Sequence, residues 1–258
     1  MKNDLVSIIM PSYNCGNLIE ETIRSVQTQT YQNWELIVYD DNSTDDTVKR
    51  VSAMLEKDDR IHLFCNAYNS GAAVSRNKAL RYAKGRWIAF LDSDDLWEPT
   101  KLEKQITFME ENNYAFSYTN YQEIDNDSNP TGVFVTGPKH VTKQAMFAFC
   151  WPGCLTVMYD ASKIGLIQIE DIKKNNDYAM WLKVCKKTDC YLLDECLAKY
   201  RRGRAGSVST HGIMTMIGWH YRLWFEAERM SPVAALWYTG LNLVCGFYKK
   251  MKYVKKIN

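Results

Sequence analysis

The first hundred residues alternate short, β-rich apolar runs with stretches of helical periodicity, and that alternation most limits what the chain can fold into. Residues 5–11 (LVSIIMP), 34–39 (WELIVY), 61–65 (IHLFC) and 87–91 (WIAFL) are continuous apolar runs of strand length, the pattern of strands covered on both faces. Between them, Leu18, Ile19, Ile23 and Val26 share one helical face, as do Val48, Val51 and Leu55. A third helix is expected from about Ala72 to Ala83, and a fourth carries Leu102, Ile106 and Met109. Asn17 with Glu20 has capping-box spacing, Asp45 suits the start of the second helix, and Pro99 suits a first helical turn. Four strands alternating with four helices predict an α/β fold, a mostly parallel sheet with right-handed crossovers and flanking helices.

The alternation weakens near residue 120, and residues 125–132 (DNDSNPTG) form a turn-rich boundary. The expected organisation is a domain over 1–210, with a first half (1–120), a second half (121–210) and a helical, aromatic and basic tail over 211–258. The formal net charge of +2 gives no argument for nucleic acid as a partner. None of the eight cysteines forms a CxxC pair, and there is no close His/Cys cluster. That argues against zinc and for reduced thiols of a cytoplasmic protein. The N-terminus has no apolar signal segment.

In open α/β sheets, ligands bind beyond the carboxyl ends of the strands. The residues following the four runs are Pro11-Ser12-Tyr13-Asn14, Asp40-Asp41-Asn42-Ser43, Asn69-Ser70-Gly71 and Asp92-Ser93-Asp94-Asp95. The last carries three carboxylates within four residues, hard oxygen ligands suited to Mg²⁺ or Mn²⁺ shared with substrate phosphates; the alternative is a solvated loop. Asp41 can accept a hydrogen bond from a base or ribose, although aspartates are common in such turns. Tyr13 can stack on a base or belong to the core. Arg76 is a surface residue unless its helix end faces phosphates.

Taken together, these segments are more specific than any one of them. VSIIMPSYN at 6–14, YDDNSTDDT at 39–47, NSGAAVSRNKAL at 69–80, FLDSDD at 90–95 and NDYAMWLKV at 176–184 resemble, in order and spacing, the family 2 glycosyltransferases with the GT-A fold. The resemblance covers roughly residues 5–210. It implies that Pro11, Tyr13 and Asp41 hold the uridine of a UDP-sugar, and that Asp92 and Asp94 form a DxD motif binding Mn²⁺ or Mg²⁺, with Asp94 the more direct ligand. It also implies that Asp177 is the catalytic base of an inverting transfer. Many members carry Glu-Asp where this chain has Asn176-Asp177.

For the acceptor, Trp151 can stack on a sugar face or pack in the core. Arg201, Arg202 and Arg204, followed by Ser207-Val208-Ser209, can clamp a diphosphate or form a solvated turn. Val233 to Tyr248 is largely apolar but interrupted by Thr239, Gly240 and Asn242, and five lysines follow. That pattern falls short of a spanning helix and suits either an interfacial helix or one packed on the domain. The expected acceptor is a polyprenyl-diphosphate-linked saccharide of bacterial surface-polysaccharide assembly, met on the cytoplasmic face of the inner membrane. A nucleotidyltransferase and a catalytically silent nucleotide-sugar-binding module are the competing readings. The first normally has a glycine-rich basic loop after the first strand, and PSYNCGN has one glycine and no Lys or Arg.

Overall fold

The structure, a computed structural model, describes residues 4–172, 174–203 and 213–256. In chain order it comprises β1 (Val6–Ser12), α1 (Gly16–Gln27), β2 (Trp34–Asp40), α2 (Thr47–Leu55), β3 (Ile61–Cys65), α3 (Ala72–Leu80) and β4 (Trp87–Phe90). Then come β5 (Leu96–Trp97), α4 (Lys101–Glu111), β6 (Phe116–Ile124), β7 (Pro130–Val135), β8 (His140–Val141) and α5 (Lys143–Ala148). The chain continues through β9 (Met158–Asp160), α6 (Ala161–Ile164), α7 (Asn176–Cys185), β10 (Cys190–Arg201), α8 (Ile213–Arg222), α9 (Pro232–Lys252) and β11 (Val254–Lys256).

The strand order is β11-β7-β6-β9-β4-β1-β2-β3. The block β3-β2-β1-β4 is parallel throughout, as the four apolar runs predict. The rest is mixed, so the expected helix-flanked α/β sheet is borne out with an antiparallel portion beyond β4. β9 runs antiparallel between β4 and β6, and β7 and β11 continue antiparallel beyond β6. β10 lies parallel to β6 while pairing antiparallel with β5 and β8. The physical reason is the connections. Parallel neighbours need a long crossover, whereas β6 and β7 are joined by the short turn around residues 125–129, closed by the Asp125 N–H on the Asn129 carbonyl at 2.9 Å.

The two faces of the sheet carry separate cores. Ile8, Met10 and Val38 pack with Ile19, Ile23, Leu102 and Ile106 on one side. Ile9, Ile37 and Phe90 pack with Tyr159, Trp181 and Trp224 on the other. Consecutive residues such as Ile8 and Ile9 part to opposite faces, as strand geometry requires.

The helix starts depart from the expected capping. α1 begins at Gly16 behind Cys15, Asn17 is exposed inside it, and Glu20 instead pairs with Arg24 and Arg50. Asp45 takes the capping work for two helices. Its Oδ2 accepts the Gly16 N–H at 3.0 Å, and its Oδ1 accepts the Thr47 N–H at 3.0 Å. Both N-termini thus point at one carboxylate, which their dipoles favour. A Cβ at Gly16 would lie 1.9 Å from Asp46 Oδ1 and 3.2 Å from the Thr47 nitrogen, so a larger residue there would have to turn the Asp46 carboxylate aside. Pro99 lies just ahead of the α4 N-cap, Thr100.

The C-terminal segment returns to the body at both ends. Ser231 caps α9, accepting the Ala234 N–H at 3.3 Å, and β11 pairs with β7 at the sheet edge. No helix among the described residues is long and apolar enough to cross a membrane.

Candidate active site

In the order 3-2-1-4 the strands are added to one side of β1 and then, with β4, to the other, and the loops leaving the parallel β1 and β4 flank a crevice at that switch point. Cys15, after β1, and Ser93, after β4, meet across it with Sγ and Oγ 3.0 Å apart. The β1 and β2 loops are tied together as well. The Asn14 N–H donates to Ser43 Oγ at 2.9 Å, and the Thr44 N–H donates to Asn14 Oδ1 at 2.8 Å. Asn14 and Asn42 both have positive φ, 46° and 63°, a conformation asparagine tolerates better than most residues.

Of the uridine candidates, Pro11 is buried and Tyr13 is 45% exposed at the mouth of the crevice. Asp41 is buried and carries a task the sequence does not disclose. Its Oδ1 accepts from Asn66 Nδ2 at 2.7 Å and the Ser70 N–H at 2.8 Å, and its Oδ2 accepts the Gly71 N–H at 2.7 Å. Asp41 therefore moors the loop before α3. Gly71, with φ of 90°, makes the turn that an L-residue resists. Asn66, directly after β3, belongs to this mooring without any motif of its own, and its position after a strand is the one signal of it in the sequence.

Arg76 is buried rather than on the surface. Its Nη1 donates to Asn176 Oδ1 at 2.7 Å, and its Nη2 is paired with Asp92 Oδ1. Burial is the largest single effect and works against the guanidinium charge, but Asp92, Cys154 and Asp177 with the Asp92 hydrogen bond together raise the pKa. One side chain thus joins the carboxylate beyond β4 to the first residue of α7, and Asp177 follows directly. Asp177 is half-buried in the first turn of α7, where its Oδ1 accepts the Tyr178 N–H at 2.8 Å. Burial raises its pKa above the usual aspartate range. The Arg76 charge and the Tyr178 N–H pull it back, and Asp92 adds to the rise. Among these effects desolvation dominates.

Asp94 lies between Asp92 and the fully buried Asp95. Burial, then the charges of Asp94 and Asp92, push the Asp95 pKa well up. The Asp95 Oδ1 accepts the Arg201 N–H at 2.8 Å, while its Oδ2 is buried without a partner among the described residues. Among the described residues no three His, Cys, Asp or Glu side chains converge as a complete metal cage. Two hard carboxylates beside a third are of the oxygen-donor type that Mg²⁺ or Mn²⁺ accepts when water and a diphosphate complete its shell. The residues fit Mg²⁺ or Mn²⁺ held in that shared way.

Two acceptor candidates have internal roles. Arg201 is buried and uses its whole guanidinium: Nε donates to the Asp94 carbonyl at 2.7 Å, Nη1 to the carbonyls of Asp125 at 2.8 Å and Asn126 at 3.0 Å, and Nη2 to Glu21 Oε2 and Ser128 Oγ at 2.9 Å each. With five donors engaged it has none for a diphosphate, which corrects the clamp expected of it. Trp151 is buried, its indole N–H donates to the Ala145 carbonyl at 2.9 Å, and its ring meets Phe149 and Tyr253 edge-on. It is a packing residue in this arrangement, not a sugar platform. Arg202 is half-exposed and pairs with Glu123 at 2.9 Å. Arg204 and Ser207-Val208-Ser209 lie outside the described residues.

A sheet flanked on both faces, with a crevice at the switch point and an Asp-x-Asp loop beyond β4, is the architecture of a glycosyltransferase of the GT-A type. The chain belongs to glycosyl transferase family 2, whose model matches residues 7–150. It is 47% identical over 254 residues to the Escherichia coli UDP-Glc:alpha-D-GlcNAc-diphosphoundecaprenol beta-1,3-glucosyltransferase WfgD, covering 96% of each chain. It is 43% identical over 235 residues to the putative teichuronic acid biosynthesis glycosyltransferase TuaG of Bacillus subtilis, covering 90% of this chain and 92% of that one. The fold superposes on S. aureus TarS 1-349 in complex with UDP-GlcNAc with a TM-score of 0.72 at 18% identity, covering 96% of this chain and 74% of that one.

Proposed function

We propose that this enzyme transfers a hexosyl group, with inversion, from a UDP-sugar to a hydroxyl of a polyprenyl-diphosphate-linked saccharide in surface-polysaccharide assembly. The observation that carries the reading is the Arg76 bridge, which sets the Asp92 carboxylate and the start of the Asp177 helix against one side chain. Similarity to WfgD along nearly the whole chain supports UDP-glucose as donor and a lipid-diphosphate GlcNAc as acceptor.

In this reading Tyr13 and the Asp41-moored loop receive the uridine, and Arg76 places positive charge beside the diphosphate. Asp94 and Asp92 would hold Mg²⁺ or Mn²⁺, and the ion would supply Lewis-acid stabilisation of the charge on the departing diphosphate. Asp177 takes the proton from the acceptor hydroxyl as that oxygen attacks the anomeric carbon. The anomeric carbon–phosphate bond breaks on the opposite face, so an α-linked donor yields a β-linked product. The acceptor's lipid keeps the reaction at the cytoplasmic face of a membrane, met peripherally through the C-terminal tail. The test is incubation with UDP-glucose and a synthetic lipid-diphosphate GlcNAc, reading the product by proton NMR. A new β-glucosidic signal is the expected result; an α-linked product contradicts single displacement.

A further inference from the structure

α9 is an amphipathic helix turned inside out relative to a core helix. Ala235, Thr239 and Asn242 face the body and are buried. Val233, Leu236, Trp237, Val244, Phe247 and Met251 recur at i, i+3, i+4, i+11, i+14 and i+18, which is one face of a helix. All six are exposed, Val233 at 78% and Trp237 at 71%. A contiguous outward stripe of large apolar residues on a well-packed protein marks an interaction surface. Lys250 and Lys252 at the end of the helix and Lys255 and Lys256 beyond it are exposed too, and residues 229–258 contain no Asp or Glu.

We infer that α9 lies in the plane of an anionic lipid surface, with this stripe in the acyl boundary and the lysines at the headgroups. The lysines favour that occupant, because a second copy of the chain would bring its own lysines and no matching acid from this segment. The inference deepens the proposed function and rests on it for one point, that the acceptor is anchored in the same surface.

The inner face of α9 fixes where the docked enzyme sits. Asn242 Nδ2 donates to the Ala148 carbonyl at 2.8 Å and lies 3.4 Å from the Tyr178 hydroxyl, one residue beyond Asp177 on α7. Lys249 Nζ donates to the Trp151 carbonyl at 2.7 Å. Gly246 lets α9 approach closely, since a Cβ there would lie 3.0 Å from the Phe149 ring. The helix that meets lipid is therefore tied by Asn242 to α5 and, through the Tyr178 hydroxyl, to the helix that carries Asp177, which relates the height of the base to the bilayer. A membrane-anchored diphosphate sugar requires that arrangement.

The full chain should co-sediment with phosphatidylglycerol/phosphatidylethanolamine vesicles. The variant W237S/V244S/F247S should lose that binding with an unchanged melting temperature, because all three residues face solvent. Neutralising K250Q/K255Q/K256Q should weaken it at least about tenfold at low salt, given roughly 1 kcal/mol per basic residue near an anionic surface. Lipids brominated on the acyl chains should quench wild-type fluorescence more than that of Trp237→Phe, a readout independent of any destabilised variant. No vesicle binding by the wild type, or a solution dimer that W237S/V244S/F247S converts to monomer, overturns the lipid occupant. These measurements use no donor or acceptor, whereas transfer to a short-chain soluble acceptor tests the proposed reaction alone, so the two failures are distinguishable.

Discussion

The Arg201 Nε–H donates to the Asp94 carbonyl at 2.7 Å, joining the last residue of β10 to the middle of the Asp-x-Asp loop across 107 positions of sequence. The Arg201 N–H also holds the Asp95 carboxylate at 2.8 Å, so one residue pins two consecutive positions of the loop. The Asp-x-Asp loop is thus set from the second half of the chain, not from its own strand alone.

Arg201→Lys keeps the charge but loses the planar fork, and strands several of the carbonyls and carboxylate oxygens it satisfied. Loss of stability of about 2–4 kcal/mol is expected from charge-assisted hydrogen bonds on this scale. Transfer should fall further than stability alone accounts for, because Asp94 is no longer fixed. Arg202→Ala, at a half-exposed surface pair, should cost under about 1 kcal/mol. Urea denaturation of the two variants side by side checks the contrast.

Asp41→Ala removes the acceptor for Asn66, Ser70 and Gly71. It should both unmoor the loop before α3, at about 2–4 kcal/mol of stability, and weaken UDP binding by roughly 1.5–3 kcal/mol. Calorimetry with UDP and a thermal melt without it separate the two effects. Unchanged values in both would take Asp41 out of the site.

The metal reading predicts that EDTA abolishes transfer and that Mn²⁺ or Mg²⁺ restores it. Asp94→Ala should lose the metal-dependent part of UDP binding while retaining the fold. Full activity after chelation would remove the ion from the mechanism.

The parallel half of the fold was legible because each of its strands is a continuous apolar run followed by a polar loop. The antiparallel half was not, because β9 is only three residues long and its place between β4 and β6 depends on contacts far apart in sequence. Within the site, the Asp-x-Asp loop and Asp177 were visible as motifs. The roles of Arg76 and Arg201 were not, since a lone arginine carries no signal of burial. Arg76 proved to be a buried bridge where an exposed side chain was the simpler expectation, and Arg201 a buried pin where the sequence offered a diphosphate clamp or a solvated turn. The same holds for Trp151, whose ring the sequence could assign equally to sugar or core. Asn176 gains its meaning only from the Arg76 hydrogen bond.

The raised pKa of Asp177 gives the rate a pH dependence of known sign. The base acts unprotonated, so transfer should fall as pH drops through a value above the usual aspartate range, where an ordinary exposed aspartate would still be ionised. Asn176→Asp keeps the shape and the Arg76 contact but adds negative charge beside Asp177. It should move that acidic limb to higher pH without altering the fold. A limb that stays in place would show that Arg76 fully screens the added charge.

The central claim is that Asp177 removes the acceptor's proton, and single-turnover transfer by Asp177→Asn tests it most directly. The substitution preserves size and removes basicity, so UDP affinity should be retained while the rate falls by about 10²–10⁴, the usual worth of general base catalysis. A rate within a few-fold of wild type, with UDP bound equally well, would contradict the assignment.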